Sequence, residues 1–248
     1  IHPEDAKALG VSTNDYVTLS SKVSGETPCI FPVQIDKRQR QGDVFVPIHW
    51  SGEWGSHSKL AKLYAPATDP ISGQPELKHG AVSITPLNFS SYGKLYISDD
   101  VQAAHGEWDI VKVLNEVVES NNGYWAKYLI DNGLGVSIAS QLESQAVIKG
   151  LLEKLPKNWV CYQHKTADSQ VLICTYEDSF CFMAFFGVQS PSTKPKYDVP
   201  NSWVDSALTQ SFNPEKLANF LRCDVDEEFL NGPVVCSCFS VMEKTISK

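Results

Sequence analysis

The chain has 248 residues, 42% of them hydrophobic and 20% charged, which suits one or two globular domains with a real core. Its formal net charge of −8 argues against a nucleic-acid surface and against binding to an anionic membrane. The longest apolar stretch, Cys181 to Val188, is far too short to span a bilayer.

The first ~87 residues read as a small β-rich unit. Pro3 in the first turn and Gly10 as a stop bracket a short helix. Asn14-Asp15 is a turn, Tyr16 to Ser20 a strand, Ser24-Gly25 a hairpin tip and Cys29 to Ile35 the returning strand. Val44 to Trp50 and Gly80 to Thr85 read as further strands. Short strands with frequent turns favour a closed barrel.

Residues 88–106 have no period and read as a linker. Trp108, Val111, Leu114, Val117 and Val118 recur at helical spacing, and Tyr124 to Ile130 is expected to form a second helix. Ser140 and Glu143 are spaced as a capping box for a helix ending near Leu155, before Pro156. Trp159 to Lys165, Gln170 to Tyr176 and Phe180 to Val188 form an antiparallel meander with turns at Asp168-Ser169 and Asp178-Ser179. Asn213 caps a helix with Pro214 at its first position, running to about Arg222. The second unit is therefore expected to be α+β. The resulting division is 1–87, a linker at 88–106, a module at 107–231 and a tail at 232–248.

Seven cysteines are present, an odd number in a long chain, and most lie in apolar contexts. Buried free thiols in a reducing, cytoplasmic setting are the expectation, rather than a disulfide framework. Cys236 and Cys238 are the exception. Ser240 and Glu243 are spaced as a capping box, so a helix is expected just after them, and a helix N-terminus stabilises thiolates. Two thiolates one residue apart are half of a metal or iron–sulfur ligand set, which takes four. Two buried structural thiols are an equal reading of that spacing.

The loop from Pro47 through Ile48, His49 and Trp50 to Gly55, followed by Thr68 to Lys78, is dense in Gly, Trp, Ser and Pro. Such a loop can surround a planar ligand: Trp stacks, backbone amides bind oxyanions, and Lys78 meets a phosphate or a pterin oxygen. On chemistry alone, a structural loop over an aromatic plug is favoured. His57, His79, His105 and His164 are isolated and carry no zinc-site spacing. Phosphate-loop, dinucleotide-fold and nucleophile-elbow patterns are absent. Asp99-Asp100 and Asp224 to Glu228 read as solvated faces.

Together, IHPEDAKAL at the N-terminus, GDVFVPIHW at Gly42 to Trp50 and DPISGQPELKHGAV at Asp69 to Val82 resemble the molybdopterin-dinucleotide-binding C-terminal domain of molybdenum oxidoreductases. Within that family the resemblance is to the catalytic subunits of bacterial assimilatory nitrate reductases. GPVVCSCFSV at Gly232 to Val241 resembles the opening of a bacterioferritin-associated-ferredoxin-like domain.

The resemblance implies a double-psi β-barrel followed by an α+β module, all part of a longer protein. It implies bis-molybdopterin guanine dinucleotide with molybdenum, a [4Fe-4S] cluster upstream and a [2Fe-2S] cluster. Lys78 matches a lysine that contacts a pterin. Ile48, His49 and Trp50 fall where the barrel loop approaches the metal and the substrate channel. Cys236 and Cys238 match the first two ligands of the [2Fe-2S] cluster. No molybdenum ligand falls in this chain, and Ser56-His57-Ser58-Lys59 departs from the family's asparagine-containing stretch. The implied activity of the parent is cytoplasmic nitrate reduction, fed by a reductase subunit, ferredoxin or flavodoxin; the fragment alone is expected to be inactive. Another family member, such as a formate dehydrogenase, and a non-catalytic binding module are the alternatives.

Overall fold

The computed structural model describes residues 1–23, 28–47, 51–75, 79–104, 108–187, 198–226, 229, 234–236 and 241–242, without the side chains of 102–104 and of 234–242. The chain divides into two compact units, Ile1–Phe89 and Ser90–Lys248.

The first unit begins with α1 (Pro3–Leu9). His2 Nδ1 accepts from the Glu4 amide, and Gly10, at φ +68°, turns its own amide back onto the carbonyls of Ala6 and Lys7. That left-handed stop favours glycine. Strand β1 (Tyr16–Ser20) lies between β2 (Cys29–Pro32) and β3 (Ser83–Leu87), antiparallel to both. Ala6, Val11, Val17, Leu19, Phe31, Leu60 and Leu63 form the core of this unit.

No closed barrel exists among the described residues; the sheet has three strands. The strand expected from Val44 is not one over residues 44–47. Val44 and Val46 do pack on the core while Phe45 is 73% exposed. Alternation of this kind reports a half-buried extended segment, but it carries no information about a hydrogen-bonded neighbour.

The second unit is a six-stranded antiparallel sheet with helices on both faces. Its strands are β4 (Ser91–Ser98), β5 (Tyr124–Ile130), β6 (Gly133–Ser140), β7 (Val160–Lys165), β8 (Ser169–Tyr176) and β9 (Ser179–Gly187). Their spatial order is β5-β6-β4-β9-β8-β7. A short α2 (Asp99–Ala104) follows β4. On one face, α3 (Ile110–Val117) and α4 (Ser144–Lys154) pack on Leu95, Ile97, Val136, Ile138, Leu172 and Phe182. On the other, α5 (Asn201–Leu208) and α6 (Pro214–Arg222) cover Tyr96, Val171, Ile173, Phe180, Met183 and Phe185.

Local signals account for the helices. Asp109 caps α3 by accepting from the Val111 amide, and Ile110, Val113, Leu114 and Val117 form its buried stripe. Asn213 caps α6 by accepting from the Glu215 and Lys216 amides, with Pro214 in the first turn. The helix expected after the Ser140–Glu143 pair is α4, but Ser140 ends β6 and the cap position is Glu143, without a side-chain hydrogen bond.

Two further expectations are corrected. Tyr124–Ile130 is a strand rather than a helix, because Gly133–Ser140 pairs along its whole length. Residues 91–98, inside the stretch read as a linker, form β4 between β6 and β9. Apolar side chains of β4 are buried on both faces, so the strand shows no alternation to read. The meander β7–β8–β9 stands as expected, with Glu177 and Asp178 at positive φ in its second turn. A bulge in the β8–β9 ladder leaves Cys181 without a ladder partner, which places Cys181 and Phe182 on the same face.

Candidate functional site

In the first unit, two described loops adjoin in sequence the residues singled out above. The first, residues 51–59, is folded on Ser51 and Ser58. The Trp54 and Gly55 amides donate to Ser51 O, and the buried Ser58 hydroxyl reaches Ser51 O at 2.8 Å and Gly55 O at 2.6 Å. Sheet contacts hold the loop: the Ile30 amide donates to His57 O at 3.0 Å, and Cys29 Sγ lies 3.5 Å from Lys59 O. Leu60 and Leu63, in the turn that follows, are buried in the core.

These anchors leave His57 in a left-handed conformation, at φ +52°. Its Nε2 is buried with no hydrogen-bond partner among the described residues. A buried, unpartnered ring nitrogen is costly unless something else supplies its partner. Sequence spacing treats His57 as one isolated histidine among several; only the backbone path shows its nitrogen turned inward.

The second loop explains the Asp-Pro-x-Ser-Gly-x-Pro string. Asp69 Oδ1 accepts from the Ser72 amide at 2.7 Å, the Ile71 amide at 3.0 Å and the Ser72 hydroxyl at 3.0 Å. Those bonds, the Ser72 amide first, hold the Asp69 carboxyl below its usual range. Gly73 sits at φ +69° and donates to Asp69 O, while the Asp69 amide donates to Gln74 O. Thr68 and Pro75 bridge across the base. The motif residues therefore spend their polar groups on folding one exposed turn, with Ile71 95% exposed at its tip. The turn leads directly into residues 76–78.

Ile48, His49, Trp50 and Lys78 lie outside the described residues, as does Cys238. Cys236 is described in its backbone only, in β10 (Val234–Cys236), which pairs with β11 (Val241–Met242). The helix expected to begin after Ser240 is thus corrected, since Val241–Met242 are strand. No group of three or more His, Cys, Asp or Glu among the described residues is placed to hold a metal ion.

The second unit carries a polar knot near its α5 face. Lys94 Nζ lies 2.5 Å from Asp198 Oδ1, and the hydroxyls of Tyr96 and Tyr128 both donate to Asn201 Oδ1. Burial disfavours the Lys94 ammonium, but Tyr128 and Asp198 outweigh it and the pKa stands above the usual lysine value. Burial, then the neighbouring Tyr128, pushes Tyr96 well up. Lys94, Tyr96 and Tyr128 each have a hydrogen-bond partner within the knot. No helix among the described residues is long and apolar enough to cross a membrane.

The domain described as "Molydopterin dinucleotide binding domain" matches residues 1–81. The chain is similar to a protein named "Nitrate reductase" from Klebsiella oxytoca, 46% identical over 226 residues, which cover 87% of this chain and 22% of that relative. It is also similar to one named "Nitrate reductase" from Synechocystis sp., 46% identical over 46 residues, covering 18% of this chain and 6% of the relative. The chain thus spans about a fifth of the length of the Klebsiella relative. No solved structure matches the chain.

Proposed function

We propose, starting from a chain that is a fragment of a nitrate reductase catalytic subunit with a molybdopterin-dinucleotide-binding first unit, that the whole protein is a molybdenum enzyme reducing nitrate to nitrite. The observation that carries this reading is the similarity over 87% of the chain to a nitrate reductase, with the domain match falling on the unit that holds both loops. The reaction consumes two electrons and two protons: nitrate loses one oxygen, which leaves as water, and nitrite is released. When bound, bis-molybdopterin guanine dinucleotide supplies the metal that passes the electron pair and takes the oxygen.

The chain's own residues fit a binding role. His57 Nε2 supplies a buried polar atom that lacks a partner among the described residues, as a pterin or phosphate oxygen requires. The Asp69 turn is folded by its own hydrogen bonds, and Lys78, a few residues beyond it in the sequence, would pair its ammonium with a pterin or phosphate oxygen. Ile48, His49 and Trp50, between Pro47 and the Ser51 turn, border the channel through which nitrate approaches. Rigid loops of this kind reduce the ordering cost of holding an extended cofactor.

In the tail, Cys236 and Cys238 would hold two of the four ligand positions of a [2Fe-2S] cluster. A [4Fe-4S] cluster elsewhere in the whole protein would supply single-electron relay from a reductase subunit, ferredoxin or flavodoxin. Free thiols at Cys29, Cys161, Cys174 and Cys181 suit a reducing cytoplasm.

The test is anaerobic purification of the whole protein, followed by analysis of molybdenum, iron and acid-released guanine nucleotide. Nitrate-dependent oxidation of a reduced viologen dye is then assayed beside formate-dependent dye reduction. Expected are molybdenum, guanine nucleotide and nitrate turnover. Formate turnover without nitrate turnover would move the protein to the other branch of the family. A folded protein with neither metal would leave only a binding module.

A further inference from the structure

In the second unit, β7 and β8 bring Cys161 and Cys174 directly opposite one another. Their Sγ atoms lie 2.7 Å apart, well inside van der Waals contact of two sulfurs, and both thiols are free. Cross-strand neighbours have the Cα spacing a disulfide needs, so the bond requires no backbone movement. The two positions differ in access. Cys161 is half-buried near the sheet edge, with β7 the outermost strand, whereas Cys174 is fully buried among Leu172, Phe182 and their neighbours. A third thiol, Cys181, is buried beside them and donates to the Cys174 carbonyl at 3.3 Å.

From this juxtaposition we infer that Cys161 and Cys174 form an oxidation site, in which hydrogen peroxide attacks at Cys161 and Cys174 closes a reversible disulfide. The Cys161 thiolate displaces hydroxide from peroxide and becomes a sulfenic acid. The Cys174 sulfur then forms the S–S bond while its proton leaves with the sulfenic oxygen as water. The balance is two thiols and one peroxide giving one disulfide and two waters. A dithiol reductant reverses it by thiol–disulfide exchange. Electrostatics support the assignment of roles: the hydrogen bond from Cys174 lowers the Cys161 pKa, while burial pushes Cys174 and Cys181 up. The access of Cys161 on the edge strand makes it the attacking thiolate, and the buried Cys174 is the resolving thiol.

The experiment treats the 248-residue chain with hydrogen peroxide under native conditions, blocks remaining thiols and maps disulfide-linked peptides by mass spectrometry. Expected is one linkage, Cys161 to Cys174, with a mass lower by two hydrogens and restored by dithiothreitol. In Cys174→Ser, Cys161 is expected to stop at the sulfenic acid and react with dimedone. Cys181→Ser is expected to leave the linkage unchanged. A Cys174–Cys181 linkage, or unlinked Cys161 in the oxidised native chain, overturns the inference. Peptide mapping of the unsubstituted chain decides this even if a variant does not fold.

Discussion

Gly93 lies against Phe186 so closely that a methyl group in place of its hydrogen would sit 2.4 Å from the ring's Cδ1 and 2.7 Å from the Phe185 carbonyl oxygen. Both contacts come from β9, the neighbour of β4 at the middle of the sheet. Gly93→Ala is therefore expected to destabilise the second unit by about 1–3 kcal/mol, the cost of overpacking a filled core. Urea unfolding monitored by tryptophan fluorescence measures this. An unchanged midpoint would mean that the two strands separate freely at this point.

Asp205 ties α5 to the turn between β5 and β6. Its two carboxylate oxygens accept from the Asn132 amide and the Asn132 side-chain Nδ2, each at 2.7 Å. Asp205→Ala leaves two donors in a largely buried place without acceptors, at a cost of about 2–3 kcal/mol. Hydrogen exchange at the Asn132 amide is the direct readout, and its protection should fall in the variant.

Asn213→Ala removes the acceptor for the Glu215 and Lys216 amides at the start of α6. The expected loss is about 1 kcal/mol. Asn213→Asp should retain most of it, because a carboxylate accepts the same bonds and suits the helix N-terminus. Equal losses in both variants would show that the cap does not contribute.

Asp69→Ala tests the loop reading. The residue lies on an exposed turn, so the fold should tolerate the change, while the turn loses the three hydrogen bonds that the Asp69 side chain accepts. In the whole protein, guanine nucleotide and molybdenum content are expected to drop together with no change in melting temperature of the cofactor-free form. Full cofactor content in the variant would separate the turn from cofactor binding.

Stability should also fall at high pH. Burial raises the pKa values of Tyr96, Tyr124, Tyr128 and Cys181 in the folded state. A raised folded pKa means that the folded state keeps its proton after the unfolded chain has lost it. Each such group stabilises fully below its unfolded pKa, and its contribution declines as pH rises through the folded value. With unfolded values near about 8.5 for Cys and about 10 for Tyr, the urea midpoint should begin to fall above about pH 8.5 and fall more steeply above about pH 10. A flat midpoint through this range would contradict the burial of these groups.

The sequence by itself determined what rests on near neighbours. Pro3 with Gly10, and Asn213 with Pro214, bracket α1 and α6 because caps and first-turn prolines act within four residues. The meander was legible from its turn residues, and the loop motif from its spacing. Tertiary structure decided the rest. β4 is central and buried on both faces, so nothing in its pattern separates it from a linker until β6 and β9 flank it. Tyr124–Ile130 becomes a strand only because β6 offers a partner ladder. Cys161 and Cys174 are thirteen residues apart, and only the register of the hairpin sets their sulfurs together. His57 is one histidine of six in the sequence. Its buried nitrogen, without a partner among the described residues, follows from a positive φ and from two anchors on β2, contacts between residues too distant in the chain for any local pattern to carry.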